Sequence, residues 1–203
     1  MPPQGVDVDA VVRNLKEAGV DAGVFYGYNE PPPINTLKAA ARMYDFSVFF
    51  GIEVVFSDGK LLWIPPDEEM LKVIPSMEPF IAMGLDVSDK PGLWIAPHPY
   101  DRGFGKGLGD SVYIIRGLDA VEGGTCNQDL QANDMASEAA QRLRIKLVGG
   151  TGVVYDPDLA GKTATFLPRR RLISQRQLVW TFHSMDPWIV EFLEEERPWN
   201  ESV

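Results

Sequence analysis

The chain has 203 residues, of which 45% are hydrophobic and 24% are charged, and this usage excludes a disordered or fibrous protein. The length suits one hydrophobic core, so we expect a single domain over residues 1–203. The net charge of −10 gives the surface a negative field, which disfavours nucleic acid and anionic membranes as partners.

Apolar side chains at helical spacing predict helices, and short apolar runs bounded by turn residues predict strands. In the first half these are a helix at 8–18, a strand at 22–26, a helix at 35–44, and strands at 47–56 and 61–64. Asn35 is a candidate cap for the second helix, since its side chain can accept from free amides. Asp58-Gly59 lies between the last two strands and is typical of a hairpin turn.

The second half continues the alternation. Its predicted elements are a helix at 75–83, a strand at 93–96, a glycine-rich loop at 103–109, a strand at 120–122, a helix at 127–143, a strand at 146–148, and helices at 174–183 and 188–196. Alternating short strands and helices predict an α/β fold with a mainly parallel sheet, open or closed into a barrel. Ligand sites in such folds lie on loops after the carboxyl ends of strands.

One candidate site residue occupies such a loop, and a second lies within a strand. His98 directly follows the strand at 93–96, between two prolines that hold the loop extended. Glu53 interrupts an apolar strand, where an ionised carboxylate needs a partner or a metal ion. The alternatives are a hydrogen-bonded loop histidine and a glutamate that faces solvent.

The glycine-rich loop after His98 contains Arg102 and Lys106, which could bind a phosphate together with backbone amides. Its spacing matches neither standard phosphate-loop pattern. An ordinary loop beside the His98 pocket therefore remains the alternative.

Several short motifs together resemble, in order and spacing, those of the PHP (polymerase and histidinol phosphatase) superfamily. They are Gly51-Ile52-Glu53-Val54, Ala96-Pro97-His98-Pro99, Ala120-Val121-Glu122 with Asn127, and Val148-Gly149-Gly150. The resemblance implies a distorted, seven-stranded, TIM-like β/α barrel. It also implies that Glu53 matches a metal-bridging glutamate and His98 a metal-binding histidine, the two catalytic candidates. Candidate ligand-binding residues at the same loops are Tyr28, Asn29, Glu122 and Asn127.

The chain departs from the family where metal ligands are expected. The sequence begins after the family's opening His-x-His strand, so these two ligands are not among its residues. The alternatives are a barrel that lost its first strand in nature and a sequence that was truncated before it. Gly27 and Tyr28 stand where the family has an acid and a histidine, and Gly152 and Val154 do so in a later loop. Glycine and valine offer no side-chain donor atom, and a neutral phenol is a poor ligand.

The resemblance and its departures together indicate a degenerate site with no cofactor, in a catalytically inactive or weak protein that serves as a binding or structural module. The alternative is an active metal-dependent phosphoesterase that hydrolyses a small phosphate ester. In that case Glu53 and His98 would weakly hold one divalent ion of zinc, manganese or iron.

Partners and location are expectations of the same kind. Arg102 and Lys106 could hold a small phosphate-bearing ligand, and the tryptophan-rich tail could dock a protein partner or a second copy of the chain. The single cysteine, Cys126, can form no internal disulfide and no thiolate zinc cluster. The chain also lacks a secretion signal and an apolar run that could span a bilayer, so we expect a cytoplasmic protein.

Overall fold

The structure is a computed structural model that describes residues 7–72, 84–101, 107–125, 130–150, 163–166, 171–185 and 188–191. Within these residues the helices are α1 (Val8–Glu17), α2 (Ile34–Met43), α3 (Leu130–Leu143) and α4 (Gln175–Ser184). The strands are β1 (Ala22–Tyr28), β2 (Ser47–Phe56), β3 (Gly59–Ile64), β4 (Leu93–Ala96), β5 (Ala120–Thr125), β6 (Lys146–Gly150), β7 (Thr163–Phe166) and β8 (Trp188–Glu191). Short 3-10 helices cover Glu68–Lys72 and Gly109–Ile114.

Six strands form one curled sheet in the order β1-β2-β3-β4-β5-β6, which is a half-barrel. β3 is antiparallel to both of its neighbours, whereas the other neighbouring pairs are parallel. The carboxyl ends of the other five strands and the beginning of β3 therefore lie at the same end of the strands. This mixed α/β architecture agrees with the predicted class and is compatible with a distorted barrel.

The predicted hairpin between β2 and β3 is confirmed, with its turn one residue earlier than expected. Phe56 pairs with Gly59, so Ser57 and Asp58 form the turn and Gly59 begins β3. A side chain at Gly59 would bring its Cβ to 2.5 Å from Cδ2 of Leu108. Glycine is required here because another part of the chain packs closely against the backbone.

Side chains alternate between the two faces of the curled sheet, and each face has its own core. The outer face packs against α1, α2 and α3 through residues such as Val12, Leu37 and Ala136. The inner, concave face carries a smaller cluster that includes Phe49, Leu62, Ile95 and Val148. This inner cluster is covered by Leu178, Val179 and Phe182 of α4.

Gln175, at the start of α4, links this helix to the sheet by hydrogen bonds. Its side-chain oxygen accepts from the Phe50 amide at 3.0 Å, and its amide nitrogen donates to the carbonyls of Phe50 and Pro65 at 2.6 and 3.1 Å. Gln175 is buried, and its three bonds satisfy both of its polar ends. The amide therefore fixes how α4 closes the inner face.

Two sequence predictions are wrong. α2 begins at Ile34 after Pro33, without a side-chain cap, so Asn35 lies inside the helix. Residues 188–191 form strand β8, which pairs antiparallel with β7, and they do not begin a helix. Trp188 to Glu191 is apolar enough for either structure, and the presence of a partner strand decided between them. The predicted helix at 75–83 and residues 192–196 lie outside the described part of the chain.

Two further observations concern the edge of the sheet and the length of the helices. Within the described residues β1 has a single strand neighbour, β2, so it forms one edge of the sheet. In the same residues no helix is both long and apolar enough to cross a membrane.

Asp119 directly precedes β5, and from its pKa we expect the free energy of unfolding to depend on pH. Burial raises the pKa of its carboxyl above the ordinary 3.8, outweighing the amide of Trp94 and the charges of His183 and Lys146, which lower the pKa. A pKa raised by folding means that the folded state holds the proton more tightly than the unfolded state. Its stabilising contribution is therefore complete below pH 3.8 and is lost as the pH rises through the folded-state pKa.

We expect Asp119→Asn to remove this loss while keeping an oxygen that accepts from the Trp94 amide, now 2.8 Å away. Urea unfolding of both proteins, repeated at several pH values between about 3.5 and 7, would measure the free energy of unfolding of each. The free energy of unfolding of the variant relative to wild type should increase as the pH rises from about 4. A difference that does not vary with pH would contradict the expectation.

Candidate functional site

The inner face of the half-barrel has a polar end as well as an apolar one. Three charged residues lie on three different strands, toward the end of the sheet where the parallel strands have their carboxyl ends. They are Glu53, Lys60 and Glu122. Each is two or four residues from a member of the inner apolar cluster, which places its side chain on the same face. Those cluster members are Phe49 on β2, Leu62 on β3 and Ala120 on β5.

These side chains and His98 form one continuous chain of polar contacts. Lys60 Nζ lies 2.8 Å from Glu53 Oε1 and 3.0 Å from His98 Nε2. On the other side of the ring, His98 Nδ1 lies 3.2 Å from Glu122 Oε2. Glu53 is fully buried, and Lys60 and His98 are 5% and 7% exposed. The site is therefore a buried cluster of two acids, one ammonium and one imidazole.

The donors in this cluster determine which nitrogen of His98 carries a proton. An ammonium can only donate, so His98 Nε2 accepts from Lys60. Nδ1 then carries the proton of the neutral ring and donates to the Glu122 carboxylate. In metal sites a histidine is oriented in the same way, with one nitrogen facing the cation and the other donating to a carboxylate.

The Glu53 carboxylate is incompletely satisfied. Its Oε1 forms the ion pair with Lys60, but neither of its oxygens has a well-aligned hydrogen bond within the described residues. A buried carboxylate is costly unless a cation or donors compensate for its lost hydration. Lys60 is consequently the main compensation for the Glu53 charge within this part of the chain.

Two tyrosines of β1 lie beside the cluster. Burial raises the pKa of Tyr26 well above 10.0, and the charges of Glu122 and Glu53 raise it further, so this phenol stays protonated. Tyr28 is 51% exposed, and its ring centre lies 5.8 Å from Lys60 Nζ, within range of a cation–π contact. Tyr28 therefore lies at the solvent side of the site.

Asn29, which was predicted to bind a ligand, joins β1 to β2. Its amide donates to the carbonyl of Glu53 at 2.9 Å, and its side-chain oxygen accepts from the amide of Val55 at 2.8 Å. Its φ of 54° is in the left-handed region, which asparagine tolerates better than most residues. These bonds hold the backbone that carries Glu53.

The loop after β4 holds His98 in a strained conformation. His98 has a φ of 28°, which is unfavourable for a residue with a side chain. The carbonyl of His98 accepts from the amide of Asp101 at 3.1 Å, and that of Pro99 accepts from Gly109 at 2.7 Å. Gly107 lies so close that a Cβ there would be 2.1 Å from the Pro99 carbonyl oxygen. This packing holds the backbone of the loop in the strained conformation.

Two glycines occupy positions where a family-type site would need, or would neighbour, an acid. A Cβ at Gly27 would lie 2.4 Å from the carbonyl oxygen of Glu30, so no side chain fits there without movement of the backbone. A Cβ at Gly150 would lie 2.9 Å from Glu122 Oε1. An acidic side chain could therefore not be introduced at Gly27 by a simple substitution.

The arrangement does not fit a multi-metal centre. Within the described residues no three His, Cys, Asp or Glu side chains form a group that could hold a metal ion. A divalent ion bonded to Glu53 Oε1 at about 2.1 Å would lie within about 5 Å of Lys60 Nζ. At an effective dielectric constant of about 20, two charges against one repel by roughly 7 kcal/mol at that distance. The lysine thus opposes a metal ion at the position where the acid and the imidazole converge.

The structure brings together four of the predicted site residues: Glu53, His98, Glu122 and Tyr28. Asn29, a fifth candidate, bonds the backbone of β2 at Glu53 and Val55. The other three candidates, Arg102, Lys106 and Asn127, lie outside the described residues, as do Gly152 and Val154. Sequence reasoning missed Lys60. Strand alternation within the hairpin could have found it, because Lys60 is opposite Val55 and hence diagonal to Glu53 on the same face.

A surface pocket of about 290 Å³ lies beside the His98 loop. Its described lining includes Pro99, Tyr100, Gln131 and two acids, Asp101 and Asp110, and no basic side chain. Burial, and then a hydrogen bond with Tyr113, raise the pKa of Tyr100, so it remains a neutral donor to Asp110. In the described residues this pocket is acidic and does not itself favour phosphate.

Comparisons with known proteins concern the fold. No family model and no curated protein sequence matches the chain. The structure is similar to PsfC from Pseudomonas syringae, with a TM-score of 0.55 and 13% identity over 84% of this chain and 78% of that one. It is also similar to a "putative metal-dependent phosphoesterase" from Bifidobacterium adolescentis, with a TM-score of 0.50 and 14% identity over 76% and 83%. The fold is shared.

Proposed function

We propose that the chain is a single-domain, PHP-type protein whose former metal site has become a buried ion cluster, and that it serves as a binding or structural module. The fold shared with a protein named as a metal-dependent phosphoesterase supports the relationship. The ordered motifs around Glu53, His98 and Glu122 support it from the sequence. A distorted, seven-stranded barrel of the PHP type is part of the same proposal.

One observation carries the loss of metal chemistry: the ammonium of Lys60 lies between the two residues that match metal ligands. Hydrolysis by a metal-bound hydroxide needs a cation with open coordination positions and at least one neighbouring acid or base. Here the internal lysine already supplies the positive charge. It offers no coordination position to a water molecule or to a phosphate oxygen.

The second candidate function is a weak phosphoesterase that uses one divalent ion of zinc, manganese or iron. Glu53 Oε2, which has no hydrogen-bond partner among the described residues, and the pairing of His98 with Glu122 favour it, because both features occur in metal sites. Glu53 and His98 would hold the ion, which would supply an activated water when bound. Lys60 would first have to leave its place.

Metal analysis and turnover assays separate the two functions. We expect the purified wild-type protein to contain well below one transition-metal ion per chain after exposure to manganese and zinc. We also expect no turnover of generic phosphate esters above that of a His98→Ala variant, since the Lys60 ammonium beside Glu53 and His98 opposes the ion that would activate a water. A stoichiometric ion, with hydrolysis that His98→Ala abolishes, would establish the phosphoesterase instead.

A small phosphate-bearing ligand, held by Arg102, Lys106, Asn127 and the rim residues Tyr28 and Asn29, is part of the proposed binding role. Its support is the composition of the glycine-rich loop, which follows His98 in the chain. The two acids that line the neighbouring pocket oppose it. A protein partner or a second copy of the chain, and a cytoplasmic location, likewise remain predictions from sequence.

A further inference from the structure

The cluster around Lys60 has three properties that an ordinary buried ion pair does not need. The ammonium contacts a carboxylate and an imidazole at 2.8 and 3.0 Å. The imidazole is held in place by a second carboxylate at 3.2 Å. The backbone of His98, which carries the ring, has a strained φ of 28°. Ligands oriented toward one point in this way are characteristic of a cation site.

We propose that the Lys60 ammonium is the resident cation of this site and a covalently attached substitute for a metal ion. Replacing Lys60 by a ligand residue would therefore create a site for one divalent transition-metal ion. This inference deepens the proposed function and rests on it. The metal would be held by Glu53, by His98 Nε2 and by the new side chain, with Glu122 orienting His98 from behind.

The charges favour this exchange. Glu53 and Glu122 carry two negative charges and Lys60 one positive charge, while His98 is neutral. One carboxylate oxygen, Glu53 Oε2, has no hydrogen-bond donor within the described residues. A divalent ion in place of the ammonium would neutralise both acids, and Oε2 could join its coordination. The present site therefore has more negative charge and more acceptor atoms than one ammonium satisfies.

Histidine is the best replacement for geometric reasons. Its side chain is shorter than that of lysine by roughly one Zn–N bond of about 2 Å, so a zinc ion bonded to it would lie near the present position of Nζ. Two histidines and one glutamate form a known catalytic zinc set. Lys60→His would assemble this set from residues that the fold already places together.

The experiment measures zinc and cobalt binding to wild type, Lys60→His, and Lys60→His combined with His98→Ala. Lys38→His is the matched control, since Lys38 also pairs with a glutamate, Glu68, at 2.6 Å but on the surface. We expect Lys60→His to bind one zinc ion at least tenfold more tightly than wild type and Lys38→His. Its cobalt form should show the visible absorption of a tetrahedral site. Adding His98→Ala should abolish both results.

Thermal unfolding covers the case in which the variant folds poorly. An ion that binds the folded state alone stabilises it. We therefore expect zinc to raise the Tm of Lys60→His, or to restore its folding, relative to the same sample with a chelator. Lys60→Ala, which leaves space but no third ligand, should respond more weakly. Lys60→His with no zinc-dependent folding and no cobalt spectrum would overturn the inference.

The two proposals fail in different ways. Stoichiometric metal and hydrolysis in the wild-type protein would overturn the proposed function, and the inference with it. A metal-free wild type together with Lys60 variants that bind no metal would overturn the inference alone. The proposed function would then stand, with Lys60 as an ordinary buried counter-ion.

Discussion

Glu53→Leu should lower the free energy of unfolding by about 3–5 kcal/mol, because it leaves the Lys60 charge buried without its carboxylate. Lys60 is 5% exposed, so solvent cannot replace Glu53 as its partner. For a chain of this length the loss corresponds to a decrease in Tm of roughly 6–20 °C. Urea unfolding followed by circular dichroism would measure it.

The control for this prediction is the double variant Glu53→Leu with Lys60→Met. Replacing both members of a buried ion pair by apolar residues of similar volume is often neutral or stabilising. We expect the double variant to recover most of the stability lost in Glu53→Leu. Equal instability of the single and double variants would show that Glu53 acts through its shape and packing and not through its charge.

Trp63→Ala should destabilise the protein by about 3–5 kcal/mol, because a large side chain is removed from the outer core. Trp63 is 2% exposed and stacks on Trp94 with 5.8 Å between ring centres. Its Nε1 also donates to the carbonyl of Pro91 at 2.8 Å. The substitution would therefore remove a ring contact, a hydrogen bond and most of the buried surface at this position.

Trp180 provides the matched control, since it lies on α4 with 69% of its surface exposed. Trp180→Ala should change the free energy of unfolding by no more than about 0.5 kcal/mol. Chemical denaturation of the two variants side by side tests the difference. Similar losses in both would mean that the exposed surface of α4 contributes to stability as much as the core does.

The lysine at position 60 explains why the family resemblance and the expected chemistry diverge. Glu53 and His98, the two residues predicted as metal ligands, are buried, and both contact an ammonium. Gly27 adds a second obstacle, because the carbonyl of Glu30 fills the space that an acid would need. The motifs alone predict where ligands are missing, whereas the structure shows an ammonium that contacts both Glu53 and His98.

Most of the local structure could be predicted from the sequence. The hairpin after β2, the strand before His98 and the helix that ends near His183 depend on apolar period and turn residues within a few positions. The cap of α2 and the segment at 188–191 were mispredicted. Each depends on context that the local pattern lacks: Pro33 before the helix, and strand β7 beside the segment.

The sequence by itself determined that the chain alternates helices and strands, that Glu53 lies in an apolar strand and that His98 follows another. These are properties of neighbouring residues, and backbone periodicity expresses them directly. The meeting of Glu53, Lys60, His98 and Glu122 was decided only by the tertiary structure. These four side chains come from segments far apart in the chain. They converge because their strands belong to one sheet and β3 is antiparallel to its neighbours, which brings its beginning beside the carboxyl ends of the other strands. α4 covers the apolar part of the same face.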